Sequence, residues 1–144
     1  MDHEHYADED IRRILMDVET IALVGASPNS ARPSYGVMSF LLSKGYTVLP
    51  VNPGQEGKEI LGQKVYAKLA DIPVPVDMVD VFRASEYLSG VVEEVIHMSP
   101  RPKVLWAQLG VKDHDAAAKG EHYGLEVIMD RCPAIEYPRL NIAR

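Results

Sequence analysis

Ile21-Ala22-Leu23-Val24-Gly25-Ala26-Ser27 decides how this chain is read. Four apolar residues in a row, with no polar alternation, suit a parallel strand buried on both faces. Gly25 then begins a glycine-small-serine turn, and Arg32-Pro33-Ser34-Tyr35-Gly36 opens a helix a few residues later. A strand, a tight glycine turn and a helix in that order bring free backbone N–H groups and a positive helix end to one point. Such a point attracts phosphate or another anion.

The rest of the chain repeats this alternation. Ile11, Ile14, Leu15 and Val18 recur at helical spacing, so the pattern predicts a helix over about Asp8–Asp17, followed by a strand at Thr20–Val24. A buried helix is expected from Tyr35 to Lys44, with Gly45 as its left-handed cap, then a strand over Tyr46–Val51 stopped by Asn52-Pro53-Gly54. Gln55–Asp71 reads as a loop, with an extended piece near Ile60-Leu61 and one helical turn near Lys68. Strands are expected at Val76–Phe82, Lys103–Ala107 and Leu125–Met129, and helices at Ala84–Met98 and Asp113–His122. The remainder, from about residue 130, reads as irregular. Alternating strands and helices imply right-handed crossovers. The expected fold is an α/β, Rossmann-like domain spanning 1–144, with a mostly parallel sheet of about five strands and helices on both faces.

Composition narrows the function. The 144 residues carry a formal net charge of −6 and no basic tract. That argues against nucleic acid or an anionic membrane as partner, since both need clustered Lys and Arg. A single cysteine, Cys132, excludes an internal disulfide and suits a reducing cytoplasm. No stretch approaches the ~18 apolar residues of a membrane span, and the acidic Met1-Asp2-His3-Glu4-His5 is unlike a leader peptide. His3 and His5 are expected on a mobile terminus, and His97 as a half-buried helix end. His114 and His122 stand two helical turns apart, too far to share a metal. Cys132 reads as a small packed residue and Trp106 as core, with an exchange-active thiol as the alternative for Cys132.

In an open α/β sheet, ligands lie beyond the carboxyl ends of the strands, where strand order reverses. The residues there are Gly25, Ala26, Ser27, Arg32 and Ser34 after the first strand, and Asn52, Pro53, Gly54 and Gln55 after the second. Phe82 and Arg83 follow the third, Gln108, Leu109 and Gly110 the fourth, and Asp130, Arg131 and Cys132 the last. Glycine-rich turns with arginine forks suit phosphates. They do not suit a standard dinucleotide site. G-x-G-x-x-G is missing, and the second strand ends in Asn52-Pro53 instead of an acid that could hold ribose hydroxyls. No nucleophile stands with a base, so the pattern offers a cradle without a catalytic constellation.

At these residues the chain resembles the small stand-alone CoA-binding domain proteins, whose domain is similar to the amino-terminal domain of the succinyl-CoA synthetase α subunit. Five stretches carry the resemblance, in order: Val24–Ser27, Lys44-Gly45-Tyr46 through Val51–Gly54, Asp80–Arg83, Trp106–Gly110 and Met129–Pro133. The resemblance implies coenzyme A, or an acyl-CoA, at the carboxyl edge of the sheet. It puts the phosphates on Gly25, Ala26 and Ser27, and the adenosine 3′-phosphate region on Asn52, Pro53 and Gln55. Phe82 and Arg83 would flank the ligand, and Gln108, Leu109 and Gly110 would form the turn beside it. The synthetase has a lysine where this chain has Gln55, with Lys58 and Arg32 as substitutes nearby. The phosphohistidine domain of the synthetase has no counterpart in these residues. The expectation is a non-catalytic sensor, carrier or regulatory module that takes a small molecule and works with a protein partner or a second copy. The alternative is a NAD(P)- or acyl-CoA-dependent enzyme whose catalytic group a partner supplies.

Overall fold

The computed structural model describes residues 1–144. Five parallel strands form the central sheet: β1 (Thr20–Val24), β2 (Thr47–Val51), β5 (Met78–Val81), β6 (Val104–Ala107) and β7 (Glu126–Ile128). Their order is β2-β1-β5-β6-β7. The chain leaves β1 toward one edge through β2, then returns to lay β5 on the other side of β1. The reversal therefore falls between β1 and β5, whose register pairs Val24 with Val81. The loops leaving these two strands diverge and open a crevice.

Strand alternation sorts the core into two layers. Ile21, Leu23, Met78 and Trp106 face α1 (Asp8–Asp17), α2 (Pro33–Ser43) and α5 (Pro133–Arg139). Ala22, Val79, Val81 and Leu105 face α3 (Leu88–Ile96) and α4 (His114–His122). Because both faces are covered, the strands read as apolar runs. α1 buries Ile11, Ile14 and Leu15 at the spacing its sequence announced. Gly45 ends the α2 segment at φ +92°, a conformation that side chains resist.

Several boundaries and contacts differ from the sequence reading. The segment after residue 130 is not irregular throughout: Pro133–Arg139 is helical. Pro133 sits in the first turn, where its missing N–H costs nothing, and Arg139 binds Glu136 and Asp8. The Gln55–Asp71 stretch holds a hairpin of β3 (Glu59–Ile60) and β4 (Gln63–Lys64). Its two-residue turn puts Leu61 at φ +51° and Gly62 at φ +79°, the positive-φ pair that matches strand twist. After the hairpin, Tyr66 donates to the Pro50 carbonyl and accepts from the Asn52 amide. This seam carries the chain back along β2 to the sheet's carboxyl edge.

The amino terminus is also tied down. His3 is buried and bridges the Tyr6 hydroxyl and Glu121 at 2.6 Å each, and the Tyr6 hydroxyl accepts from the Met129 amide at 2.9 Å. Side-chain partners there outweigh the usual fraying of a terminus. His97 is exposed, because it caps α3 on the solvent side. Cys132 and Trp106 are core residues, and the Trp106 indole donates to the Arg131 carbonyl.

One core residue stands apart. Asp80 lies in the centre of β5, fully buried, and neither carboxylate oxygen has a hydrogen-bond partner. Alternation puts it on the same face as Met78, toward α1, α2 and α5. Desolvation alone holds its carboxyl well above the ordinary carboxylate range. The folded state thus favours the protonated form. Stability from this group is complete below the unfolded carboxylate pKa and is lost as pH rises through the raised folded value. Asp80→Asn should therefore raise Tm at neutral and alkaline pH, by about 2–4 °C for each kcal/mol recovered. The gain should vanish near pH 3. Calorimetry across pH checks this, and an Asn variant no more stable than the parent at pH 8 would contradict it.

Candidate functional site

The crevice is built around Gly25. It leaves β1 at φ +87°, and a Cβ placed there would stand 2.9 Å from the Phe82 carbonyl oxygen and 3.2 Å from Cγ of Arg83. The two diverging loops touch at this point, and only glycine lets them do so. The amides of Gly25 and Ala26 both donate to the Val51 carbonyl, at 3.0 and 3.3 Å. These two amides are therefore not free for an anion, contrary to the expectation from sequence. They hold the turn against the end of β2 instead. The amides of Ser27, Ser30 and Ser34 make no hydrogen bond within the protein. The donors on offer thus lie further along the loop and at the amino end of α2, where the helix dipole adds positive character.

Asn52 latches the second loop. Its side-chain amide donates to the Ala26 carbonyl at 2.7 Å, while its Oδ1 accepts from the Gly54 amide at 2.9 Å. It caps the short 3₁₀ turn Pro53–Gln55 and fixes that turn beside the glycine loop. Its role is to position backbone.

Two cavities meet at this centre. One, about 390 Å³, lies between Gly25, the Asn52-Pro53-Gly54 turn, Lys68 and Arg83. The other, about 430 Å³, is lined by Gly25, Arg32, Ser34 and Arg83 on one side and by Phe82 with Gln108, Leu109 and Gly110 on the other. Gly25 and Arg83 belong to both, so the two form one trough across the sheet edge. Of the residues expected from sequence, ten therefore line the trough. Ala26 is buried and Ser27 is half-buried, its hydroxyl accepting from the Asn29 amide. Gln55 and Lys58 line neither cavity.

The cations sort by whether they are already engaged. Arg32 and Arg83 carry no ion pair; Arg83 stacks on Tyr87, 4.1 Å from the ring centroid. Arg131 instead lies over Tyr6 and reaches Glu136, away from the trough. Lys68 lines the smaller cavity, and its side chain makes neither hydrogen bond nor ion pair; strand-end reasoning missed it, because it enters from the hairpin's return and not from a strand terminus. Glu94 is the acid of this cavity. Partial desolvation pushes its carboxyl up, against the pull of Arg83 and Lys68. Gln108 is a buried side chain whose Oε1 has no partner, on the wall of the larger cavity. A buried acceptor left unmade costs ~1–3 kcal/mol, which a ligand donor would relieve.

A positively lined trough at the switch point of a parallel sheet, with glycine at the closest approach, has the charge and shape that suit a nucleotide-type anion. Residues 19–138 match the family described as CoA binding domain, and the chain belongs to that family. It is 39% identical to the protein YneT of Bacillus subtilis (strain 168) over 123 residues, 85% of this chain and 88% of that protein. A solved structure from Pyrococcus horikoshii OT3 is 39% identical, with a TM-score of 0.90 over 99% of this chain and 97% of that one. Acetyl-coenzyme A synthetase 1 of Ca. Korarchaeum cryptofilum is 26% identical with a TM-score of 0.63. That match covers 76% of this chain and only 25% of the synthetase, so the shared part is one portion of a much larger enzyme. No helix of this chain is long and apolar enough to cross a membrane.

Gly25→Ala tests the centre of the site. The added methyl meets backbone at 2.9 Å in a positive-φ conformation, a combination worth ~1–3 kcal/mol of strain. Denaturant unfolding should show a loss of that size, whereas Gly54→Ala, whose Cβ meets only the Asn52 side chain at 3.5 Å, should lose less. Equal losses would contradict the close approach.

Proposed function

We propose that the chain binds coenzyme A or an acyl-CoA along the trough and acts as a non-catalytic carrier, sensor or regulatory module. The adenosine end takes the cavity beside Asn52, Pro53 and Gly54. The pyrophosphate crosses at Gly25, where the Ser27 amide, the amino end of α2, Arg32 and Arg83 provide donors and charge. The pantetheine arm follows Phe82 into the cavity of Gln108, Leu109 and Gly110. The observation that carries this reading is the sharing of Gly25 and Arg83 by two cavities. A long ligand with phosphate near its middle and unlike ends fits that layout better than a mononucleotide does.

Further features support it. The orphaned Gln108 Oε1 is an acceptor of the kind a pantetheine amide N–H would satisfy. The contact at Gly25 leaves no bulk between ligand and backbone. Membership in the CoA-binding domain family agrees with the ligand class. The trough contains Ser34 but no histidine to act as its base, and Cys132 is buried in the core. These residues favour holding a ligand over transforming it. A cytoplasmic setting suits both the ligand and a lone free thiol.

A thermal-shift panel of CoA, acetyl-CoA, NAD, NADP and ATP checks the ligand, because a compound that binds only the folded state raises Tm by mass action. CoA or acetyl-CoA should give the largest shift. Arg83→Ala should weaken CoA at least tenfold, about 1.4 kcal/mol, in calorimetric titration. A shift confined to NAD, or unchanged CoA affinity in the Ala variant, would overturn the assignment.

A further inference from the structure

We propose that Lys68 is the residue by which this site selects an adenosine bearing a 3′-phosphate; the inference rests on the CoA reading above and assigns its third phosphoryl group. That group is a dianion at one end of the ligand, separate from the pyrophosphate. It needs a cation in the cavity that takes the adenosine.

The cations available there are few. Gln55, at the position where the synthetase pattern has lysine, is neutral and lies off the cavity, as does Lys58. Arg32 lines only the larger cavity. Arg83 is shared by both cavities and packs its side chain against Gly25 and Tyr87, at the level of the pyrophosphate. Lys68 remains. It lines the adenosine cavity together with the Asn52-Pro53-Gly54 turn, and its ammonium has no ion pair or hydrogen bond.

The backbone explains how lysine reaches this place from outside the usual loop. The hairpin of β3 and β4 displaces the chain, and the Tyr66 bonds to Pro50 and Asn52 then bring it back beside β2. Two residues later Lys68 precedes a 3₁₀ turn (Leu69–Asp71), and Leu69 is buried beneath it. The cation is therefore anchored on a packed neighbour and its side chain is left exposed. Glu94 lines the same cavity and opposes an anion there. It also draws on Lys68 and Arg83, so losing Lys68 leaves Arg83 alone against Glu94 and removes the cavity's net positive charge.

Selection follows from position. Dephospho-CoA lacks only the 3′-phosphate, and NAD carries no phosphate on its 2′ or 3′ hydroxyls. Both forgo this contact, which is charge-assisted and partly screened by salt.

The test compares calorimetric affinities for CoA and dephospho-CoA at low ionic strength. The parent protein should prefer CoA by at least tenfold. Lys68→Ala should bring the two within about threefold, chiefly by weakening CoA, and Lys68→Arg should keep the preference. Because the side chain is exposed, the Ala variant should melt as the parent does. The inference is overturned if Lys68→Ala keeps the tenfold preference, if the parent binds both ligands equally, or if Lys58→Ala abolishes the preference instead. In each of those cases CoA still binds and the broader reading stands. A parent protein that binds neither compound overturns both.

Discussion

Everything at the carboxyl edge of this sheet depends on the contact between Gly25 and the backbone of Phe82. β1 is an interior strand, paired with β2 on one side and β5 on the other. The loops that follow β1 and β5 must part in opposite directions, yet they begin less than one side chain apart. Glycine resolves that conflict by removing the Cβ and by accepting φ +87°. From that pinch the two cavities open on either side, and Arg83, starting one residue beyond Phe82, belongs to both.

Hydrogen bonds then decide which polar groups the site can offer. The first two amides of the glycine turn are spent on Val51, and Asn52 is spent on Ala26 and Gly54. These bonds make the rim rigid and remove the most obvious donors from it. What stays free is Ser27, the amino end of α2 and the cations without partners. The division is physically sensible: backbone groups close to the sheet complete the sheet, and those one turn further out face the solvent and any ligand. The same logic separates the arginines. Arg131 is held by Tyr6 and Glu136, whereas Arg32 and Arg83 form no ion pair.

Buried polarity runs through this region as well. Asp80 and Gln108 both carry unsatisfied oxygens on or next to the central strands. Gln108 borders a cavity and can be completed from outside. Asp80 cannot, and its protonated form resolves the cost by giving up the charge. Net acidity of the chain does not predict this edge, because the 21 acids are spread over the molecule while the trough holds few of them.

The sequence by itself determined the fold class and most of the trough. Apolar runs such as Ile21–Val24 read as buried strands because both faces of a parallel sheet are covered, and Gly25 and Gly45 mark backbone turns that other residues resist. Ten of the fourteen expected site residues line the trough, since strand ends converge on a switch point in any sheet of this order. Tertiary structure decided the rest. The helix at Pro133–Arg139 is short and contains two prolines, so local pattern hid it and packing of Tyr137 against the core made it. Lys68 and the tethered His3 escaped for the same reason. Each is placed by contacts between segments distant in sequence, the seam of Tyr66 on β2 and the bridge from His3 to Glu121. Periodicity reports a residue's own element, and only the folded chain reports what another element brings beside it.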